Sequence, residues 1–162
     1  MTGPEQSVIE AVNRTGVPYE IIDIDPHFSD TTAFCEKYGY PPEQACNTII
    51  VTSKKGPKKT AACVVLANSR LDVNKRVKKL LGVQKASFVS PAEMVALTGM
   101  EVGGVTPFSL PPGVMLYVDE QVMNADWVIL GGASRRIKIK IKPEALTQLG
   151  AIVIAGLALV ES

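Results

Sequence analysis

Hydrophobic residues recur along the chain with two periods, one typical of helices and one typical of strands. Spacings of three and four residues predict helices that begin at polar caps and end at glycines, whereas alternation and β-branched runs predict strands. The predicted helices cover residues 7–14, 30–38, 75–81, 91–98 and 143–149, with a helical turn near 119–120; the predicted strands cover 19–24, 47–52, 60–67, 114–118, 127–130, 136–141 and 151–157. This mixture predicts one α/β domain over residues 1–162.

Three of the strand patterns carry more specific predictions. The runs at 47–52 and 60–67 are joined by S-K-K-G-P-K-K, which predicts a hairpin with a basic tip. Residues 136–141 (R-I-K-I-K-I) alternate, so one face of that strand is apolar and the other is cationic. The run at 151–157 is apolar throughout and predicts a buried final strand.

The composition is that of an ordinary globular protein, because 46% of the 162 residues are hydrophobic and 20% are charged. We expect a cytoplasmic protein, because no leader pattern opens the chain and the longest apolar run, 151–160, is shorter than the ~20 residues of a membrane span. Three cysteines without metal-type spacing and a single histidine, His27, predict neither a disulfide framework nor a metal site. No nucleotide-binding fingerprint occurs, so no cofactor is expected.

The charges are distributed unevenly. Between Thr52 and Lys85 there are ten lysines and arginines and one acidic residue, Asp72, so this segment carries +9, and the remainder carries −8 because the net charge is +1. Such asymmetry indicates a side that faces a polyanion such as nucleic acid. A solvated helix face beside a lysine-rich hairpin tip is the alternative on charge alone.

Two glycine pairs mark a candidate site. Gly103 and Gly104 lie in an unpatterned, proline-rich stretch, and Gly131 and Gly132 follow an apolar strand. Glycine pairs expose backbone N–H groups that can hold a carbonyl or phosphate oxygen, although ordinary turns use them too. Two such loops at strand ends can form opposite walls of one cleft.

The order of several motifs resembles the YbaK/prolyl-tRNA synthetase-associated domain family. The motifs are N-T-I-I-V, L-G-V-Q-K-A-S-F, S-P-A-E-M-V-A-L-T-G, G-G-V-T-P-F, V-D-E and I-L-G-G-A-S-R-R-I, in this order from about residue 17 to 157. T-G-x-x-x-G-G-V-x-P-F is the most specific of them. The resemblance implies a mixed, mostly antiparallel and barrel-like sheet with several short helices around it. It also implies an editing activity, the hydrolysis of the ester that joins a wrong small amino acid, such as alanine or cysteine, to tRNA.

The resemblance also implies roles for particular residues, without cofactor or metal. The implied catalytic groups are Asn47 and the backbone N–H groups of Gly104 and Gly132; the implied substrate pocket includes Thr48, Gly103, Asp119 and Gly131; and the lysines along which tRNA phosphates would pass are Lys54, Lys55, Lys58 and Lys59. The implied partners are mischarged tRNA and an aminoacyl-tRNA synthetase.

Two positions depart from the family pattern. Asn47 stands where family deacylases commonly carry lysine, and Leu130 stands where they often carry serine. Asn47 donates a hydrogen bond but brings no charge. After the second glycine pair, Ser134 can offer a hydroxyl to the cleft, and Arg135 or Arg136 can offer a guanidinium. The alternative is that the arginines belong to the cationic face of the next strand. We therefore count Ser134 and Arg135 among the candidate substrate-binding residues.

Three functions remain open at this point. The first is hydrolysis of aminoacyl-tRNA, which a water activated by a substrate hydroxyl would perform without lysine or serine. The second is a binding module for tRNA or a synthetase that kept the pocket and lost efficient catalysis. The third is a site for another small aminoacyl or amide compound. The basic segment favours the first two, and hydrolysis is the leading expectation.

Overall fold

Strands and short helices alternate along the computed structural model, which describes residues 1–160. The strands are β1 (Tyr19–Asp23), β2 (Cys46–Ser53), β3 (Thr60–Leu66), β4 (Ser69–Leu71), β5 (Ala86–Phe88), β6 (Met115–Asp119), β7 (Val128–Gly131), β8 (Ile137–Ile141), β9 (Ile152–Ile154) and β10 (Ala158–Val160). The helices are α1 (Gly3–Arg14), α2 (Thr31–Tyr38), α3 (Lys78–Leu81), α4 (Pro91–Thr98), α5 (Glu120–Met123) and α6 (Glu144–Gln148), with a π-helical turn at Val73–Val77 and 3-10 turns at Pro26–Phe28 and Pro42–Gln44. In this described part of the chain, no helix has the length and apolar character needed to cross a membrane.

Two main sheets form the centre of the fold. The larger has the strand order β5-β2-β3-β6-β9 and the smaller has the order β1-β8-β7, while β10 and β4 pair separately. All pairings are antiparallel except those of β6, which runs parallel to β3 and β9. The prediction of a mixed, mostly antiparallel α/β fold is confirmed, but the sheets do not close into a barrel.

Hydrophobic side chains fill three spaces between these layers. Between the two sheets and α1 lie, among others, Val8, Val64, Leu130 and Ile139. A second cluster packs the π-helical turn and α3 onto the other face of the larger sheet. A third lies between the smaller sheet and α2, around Phe34. Both faces of the smaller sheet are therefore covered.

The two sheets meet where β2 begins. Ala45, immediately before β2, forms a single parallel bridge with Ile129 of β7. Beyond this bridge β2 continues in the larger sheet and β7 in the smaller one, so the two strands separate. Asn47 and Gly131, each two residues past the bridge, therefore lie at the gap that opens between the sheets.

Local sequence signals set most of the helix ends. Asp30 caps α2 by accepting a hydrogen bond from the Ala33 N–H, and Gly39 ends it in a left-handed conformation with φ of 76°. Asp72 caps the segment that contains residues 75–81, because its carboxylate accepts a hydrogen bond from the Lys75 N–H. The single helix predicted there is a π-helical turn followed by one turn of α-helix.

The prediction of one buried strand over residues 151–157 is wrong. β9 is an edge strand that pairs only with β6, and Ile152 and Val153 are 44% and 41% exposed. The chain then turns at Gly156, with φ of 69°, and β10 pairs with β4 instead. An apolar run indicates a strand, but it does not show how many neighbours that strand has.

A buried hydrogen bond fastens the N-terminal helix to the turn between β7 and β8. The Ser134 hydroxyl donates to Oε2 of Glu5 at 2.7 Å, and both residues are buried. Burial by itself raises the pKa of Glu5, but the Thr2 N–H and the hydroxyls of Ser134 and Thr2 donate to the carboxylate and together bring that pKa below its usual value. The stabilisation is therefore present at neutral pH and is lost as the pH falls through the lowered pKa.

We expect Ser134→Ala to lower the free energy of unfolding at pH 7 by about 1.5–3 kcal/mol, because a hydrogen bond to a buried charged group is lost. The difference from the wild type should shrink as the pH falls through the lowered pKa of Glu5, because the carboxyl group is then protonated in both proteins. Urea denaturation at several pH values measures both effects. Ser7→Ala, on the exposed side of α1, is the control, and equal unfolding of the two variants at pH 7 would contradict the assigned role.

Candidate functional site

A small cavity occupies the gap between the two sheets. Its volume is about 170 Å³, below the ~300–1,000 Å³ of pockets that bind drug-sized ligands. The lining residues are Ser29, Asp30, Thr31, Cys46, Asn47, Thr48, Gly103, Val105, Gly131 and Lys138. Four of the predicted site residues are thus brought together here, and they come from β2, from the 103–105 loop and from β7.

Backbone packing joins the two glycine-containing walls. A Cβ added at Gly131 would collide with the carbonyl oxygen of Val105 and would lie 2.9 Å from that of Gly104. The Ala133 N–H donates to the Gly104 carbonyl at 2.8 Å. Glycine at 131 is therefore required by the close approach of two backbones. The two loops therefore contact each other beside the cavity, which Gly103 and Gly131 both line.

Asn47 is oriented by the first residue of α2. The Thr31 hydroxyl donates to Oδ1 of Asn47 at 2.5 Å. Because the carbonyl oxygen of this amide is engaged as an acceptor, the NH₂ group is the donor that Asn47 offers to a ligand.

The hydroxyl of Thr48 lacks a partner within residues 1–160. It is buried and accepts or donates no hydrogen bond among these residues. A buried hydroxyl without a partner costs about 1–3 kcal/mol. Since Thr48 lines the cavity, a ligand oxygen that reaches this hydroxyl would supply the missing partner.

Lys138 brings a positive charge to this cavity. It belongs to β8, directly opposite Gly131 of β7 in the strand register, and it is 5% exposed. Its Nζ lies 5.1 Å from the centre of the Phe34 ring. Burial lowers the pKa of Lys138, while Cys35 and Asp30 act in the opposite direction.

The electrostatics of the lining do not favour a thiol nucleophile. Burial raises the pKa of the Cys46 thiol, so the sulfur is neutral at physiological pH. The side chain of His27 is exposed and contacts Asp25 at 3.1 Å, and it is not part of the lining. Within residues 1–160 no group of three or more histidine, cysteine, aspartate or glutamate side chains has the arrangement of a metal site.

Of the two amides that were predicted to be oxyanion donors, that of Gly104 is already engaged. The Gly104 N–H donates to the Glu101 carbonyl at 2.9 Å and is therefore engaged within its own turn. A Cβ on Gly132 would lie 2.6 Å from the Ile137 side chain, which shows that this glycine packs against β8. Gly103 and Gly131 line the cavity instead.

Ser134 and Arg135 are bonded within the chain and lie outside the cavity lining. Ser134 donates to Glu5, as described above. Arg135 donates from Nε to the Ser29 hydroxyl at 3.1 Å and from its guanidinium to the Pro26 carbonyl at 2.9 Å. The arginine therefore fastens the loop before α2 beside Gly103, and its cation does not enter the cavity.

Asp119 lies in a different and larger concavity, of about 390 Å³, on the far side of the β2 start. Its Oδ1 accepts from the N–H groups of Leu157 and Ala158, at 3.1 and 3.4 Å. This carboxylate therefore holds the turn that precedes β10. The implied proximity of Asp119 to Asn47 in one pocket is not what the structure shows, because a different set of residues lines each cavity.

The lysines of the hairpin tip are distant from the cavity. Lys54 follows the end of β2, seven residues after Asn47, which is roughly 20 Å along an extended strand. The tip adjoins the other basic segment, because the Lys54 N–H donates to the Lys85 carbonyl at 2.9 Å and Lys59 Nζ donates to the Leu81 carbonyl at 3.0 Å. The basic surface is thus continuous, and it is separate from the candidate site.

Sequence reasoning missed Thr31 and Lys138. Thr31 gave no signal beyond its place at the start of a helix. The position of Lys138 opposite Gly131 was predictable in principle. If β7 and β8 are joined by a tight turn centred between Ser134 and Arg135, then Gly131 pairs with Lys138. The alternating pattern assigned this lysine to a cationic face, and nothing in the pattern showed that α2 would cover that face.

The class of protein follows from a match to a known family. Residues 25–149 match the model of the aminoacyl-tRNA editing domain family, so the chain belongs to this family. The resemblance noted from the motifs is thereby confirmed.

Relatives and solved structures agree with this assignment. The chain is 30% identical over 128 residues to the uncharacterized protein YwhH of Bacillus subtilis (strain 168), with 74% of this chain and 80% of that protein covered. It is 24% identical over 152 residues, with coverages of 91% and 90%, to EbsC of Enterococcus faecalis (strain ATCC 700802 / V583), a proposed Cys-tRNA(Pro)/Cys-tRNA(Cys) deacylase.

Two crystal structures share the fold over nearly the whole chain. The hypothetical protein APE2540 superposes with a TM-score of 0.84 at 27% identity, covering 94% of this chain and 99% of that one. A proposed trans-editing enzyme for prolyl tRNA synthetase superposes with a TM-score of 0.81 at 22% identity, with coverages of 100% and 99%.

We expect Gly131→Ala to lower the free energy of unfolding by about 1–3 kcal/mol, because the added methyl group forces apart two backbones that have no flexible side chain between them. Thermal or urea unfolding measures the loss. Gly3→Ala is the control, since a Cβ at Gly3 meets nothing within 4 Å. An unchanged stability of the Gly131 variant would show that the two walls are not in contact.

Proposed function

We propose that this protein hydrolyses the ester bond of mischarged aminoacyl-tRNA and thereby removes a small amino acid from the 3′ end of the tRNA. The observation that carries the proposal is the cavity of about 170 Å³ between the sheets, lined by two glycine loops, an oriented amide and an unpartnered hydroxyl. Membership of the aminoacyl-tRNA editing domain family supports it.

The size of the cavity favours a small acyl group. Gly103 and Gly131 contribute no side chain to the walls, and Val105 and Cys46 supply apolar surface. Alanyl and cysteinyl groups are short and weakly polar, so they suit such walls. The relative EbsC, a proposed deacylase of cysteinyl-tRNA, supports the same choice of substrate.

The polar groups of the lining match the parts of an aminoacyl ester. The NH₂ group of Asn47 can donate to the ester or ribose oxygens, and the Thr48 hydroxyl can complete its own hydrogen bonding with the same substrate. The carboxylate of Asp30, at the start of α2, is an acceptor for the positively charged amino group. Water is the nucleophile in this scheme, and a ribose hydroxyl of the substrate can orient it.

The remote basic surface favours a second role in RNA binding. The hairpin tip and the segment after β4 supply most of the ten lysines and arginines between Thr52 and Lys85, and they lie away from the cavity. Such a surface suits the phosphates of a tRNA whose 3′ end occupies the cavity. The alternative, a tRNA- or synthetase-binding module without efficient hydrolysis, would use this surface in the same way.

Release of amino acid from a panel of alanyl-, cysteinyl- and prolyl-tRNA(Pro) tests the proposed activity. We expect release of alanine or cysteine well above the uncatalysed rate, and Asn47→Ala should lower kcat/KM about tenfold, which corresponds to the loss of a hydrogen bond worth about 1.4 kcal/mol. Gln6→Ala, at an exposed position of α1, should behave as the wild type. Absence of release across the panel, with tRNA binding intact, would favour the binding module.

Charge reversal at Lys54 and Lys55 tests the basic surface separately. We expect the double Lys→Glu variant to bind tRNA more weakly, and the slope of log affinity against log salt should become shallower by about 1–2, because phosphate contacts are lost. Hydrolysis of alanyl-adenosine, which lacks the tRNA backbone, should be unchanged. Equal losses with both substrates would place these lysines at the cavity rather than on a remote surface.

A further inference from the structure

Lys138 is a buried cation that lacks a partner within residues 1–160. It lies in the middle strand of the smaller sheet, between Ile22 of β1 and Gly131 of β7. No carboxylate of these residues approaches its ammonium group within 4 Å, and no hydrogen-bond acceptor among them is bonded to it. It is 5% exposed and belongs to the lining of the cavity.

Lys140, on the same face of β8, is a lysine that does have partners within the chain. Lys140 Nζ lies 4.3 Å from the centre of the Trp127 ring and 3.9 Å from Oε2 of Glu20. Its side chain is more exposed than that of Lys138. One face of β8 therefore carries two lysines. Lys140 has an acidic partner, whereas Lys138 lies beside an aromatic ring and lines the cavity.

Burying an ammonium group without an anion is unfavourable. The Phe34 ring offsets part of this cost, since its face attracts a cation, and the Asp30 carboxylate acts from a longer distance. Neither supplies a hydrogen-bond acceptor to Nζ. The residue opposite Lys138 is Gly131, whose side-chain position is taken by the backbone of Gly104 and Val105. The space open to a ligand atom is therefore the cavity that Lys138 and Gly131 both line.

We propose that Lys138 stabilises the negative charge that develops on the ester carbonyl oxygen during hydrolysis. The inference rests on the proposed deacylase function and names the charged group of that same site. The stabilising cation is thus assigned to β8. On β2, by contrast, Asn47 offers only a neutral amide.

The chemical step is a simple addition and elimination. Water adds to the ester carbonyl carbon, and the electron pair of the C=O bond moves to the oxygen, which becomes the oxyanion beside Lys138. When the C=O bond re-forms, the bond from carbon to the ribose oxygen breaks. The proton released by the attacking water passes to the ribose oxygen, so the products are the free amino acid and the tRNA hydroxyl.

The size of the cavity favours the acyl end of the substrate over a phosphate. The nearest phosphate of a 3′-terminal nucleotide is on the opposite side of the ribose from the ester, and a space of about 170 Å³ does not hold both groups. A buried lysine in its lining therefore meets the acyl group, while phosphates remain outside. A single well-placed donor at a developing oxyanion contributes about 10²–10³ in kcat in other enzymes.

The first experiment compares Lys138→Met with the matched control Lys140→Met in deacylation of whichever tRNA the wild type hydrolyses. We expect kcat to fall about 100-fold in Lys138→Met with KM changed less than about threefold, and the control to retain wild-type kcat. Propylammonium should restore part of the activity of Lys138→Ala, because it replaces the missing side-chain atoms. Thermal unfolding of each variant shows that the fold is kept.

The second experiment needs no turnover. Calorimetry compares binding of adenosine 3′-(1-aminoethyl)phosphonate, whose linking group is anionic and tetrahedral, with that of 3′-alanylamido-3′-deoxyadenosine, whose linking amide is uncharged and planar. We expect the wild type and Lys140→Met to bind the phosphonate at least about tenfold more tightly, and Lys138→Met to lose this preference.

The outcomes separate the two proposals. If no tRNA is hydrolysed but the preference for the phosphonate depends on Lys138, the proposed activity fails and the anion site stands. If hydrolysis occurs with wild-type kcat in Lys138→Met, or if only KM changes, the assignment of Lys138 is overturned and the proposed activity stands. Equal preference for the phosphonate in all three proteins overturns the assignment as well.

Discussion

The close approach of two backbones, at Gly131 and at Gly104–Val105, is the contact on which the rest of the site depends. No side chain fits between them, and two hydrogen bonds, from Ala133 to Gly104 and from Glu101 to Ala133, hold the segments at 2.8 and 2.9 Å. This contact fixes the 103–105 loop to the smaller sheet at the point where β2 and β7 separate. Without it the gap between the sheets would have no second wall.

Several polar residues around this contact join neighbouring elements through hydrogen bonds. Ser134 joins the β7–β8 turn to α1 through Glu5, and Arg135 joins it to the loop before α2 through Ser29 and Pro26. Their hydrogen-bonding groups are already used within the chain, so the cavity keeps only a few free ones. A small site formed by rigid backbone, with a few oriented polar groups, is suited to hold a reacting group in one geometry.

Features set by neighbours in sequence were predictable, and features set by neighbours in space were not. Helix ends at Gly39 and Gly99, the β2–β3 hairpin and the two glycine walls each follow from local residue chemistry. The burial of Lys138, the edge position of β9 and the open sheets depend on which element covers which face. The alternation of polar and apolar residues shows which residues share a face of a strand. It does not indicate which element packs on that face.

The neutral amide at position 47 is consistent with a cation on β8. Two ammonium groups 4 Å apart repel each other by about 4 kcal/mol at the effective dielectric constant of a protein interior near its surface. In a cavity of about 170 Å³, a lysine at position 47 and Lys138 would have to share the space, and the charged form of each would disfavour that of the other. With Asn47 held by Thr31, the site keeps one positive charge and a donor beside it, so the absence of lysine on β2 does not by itself make the cavity electrostatically inert.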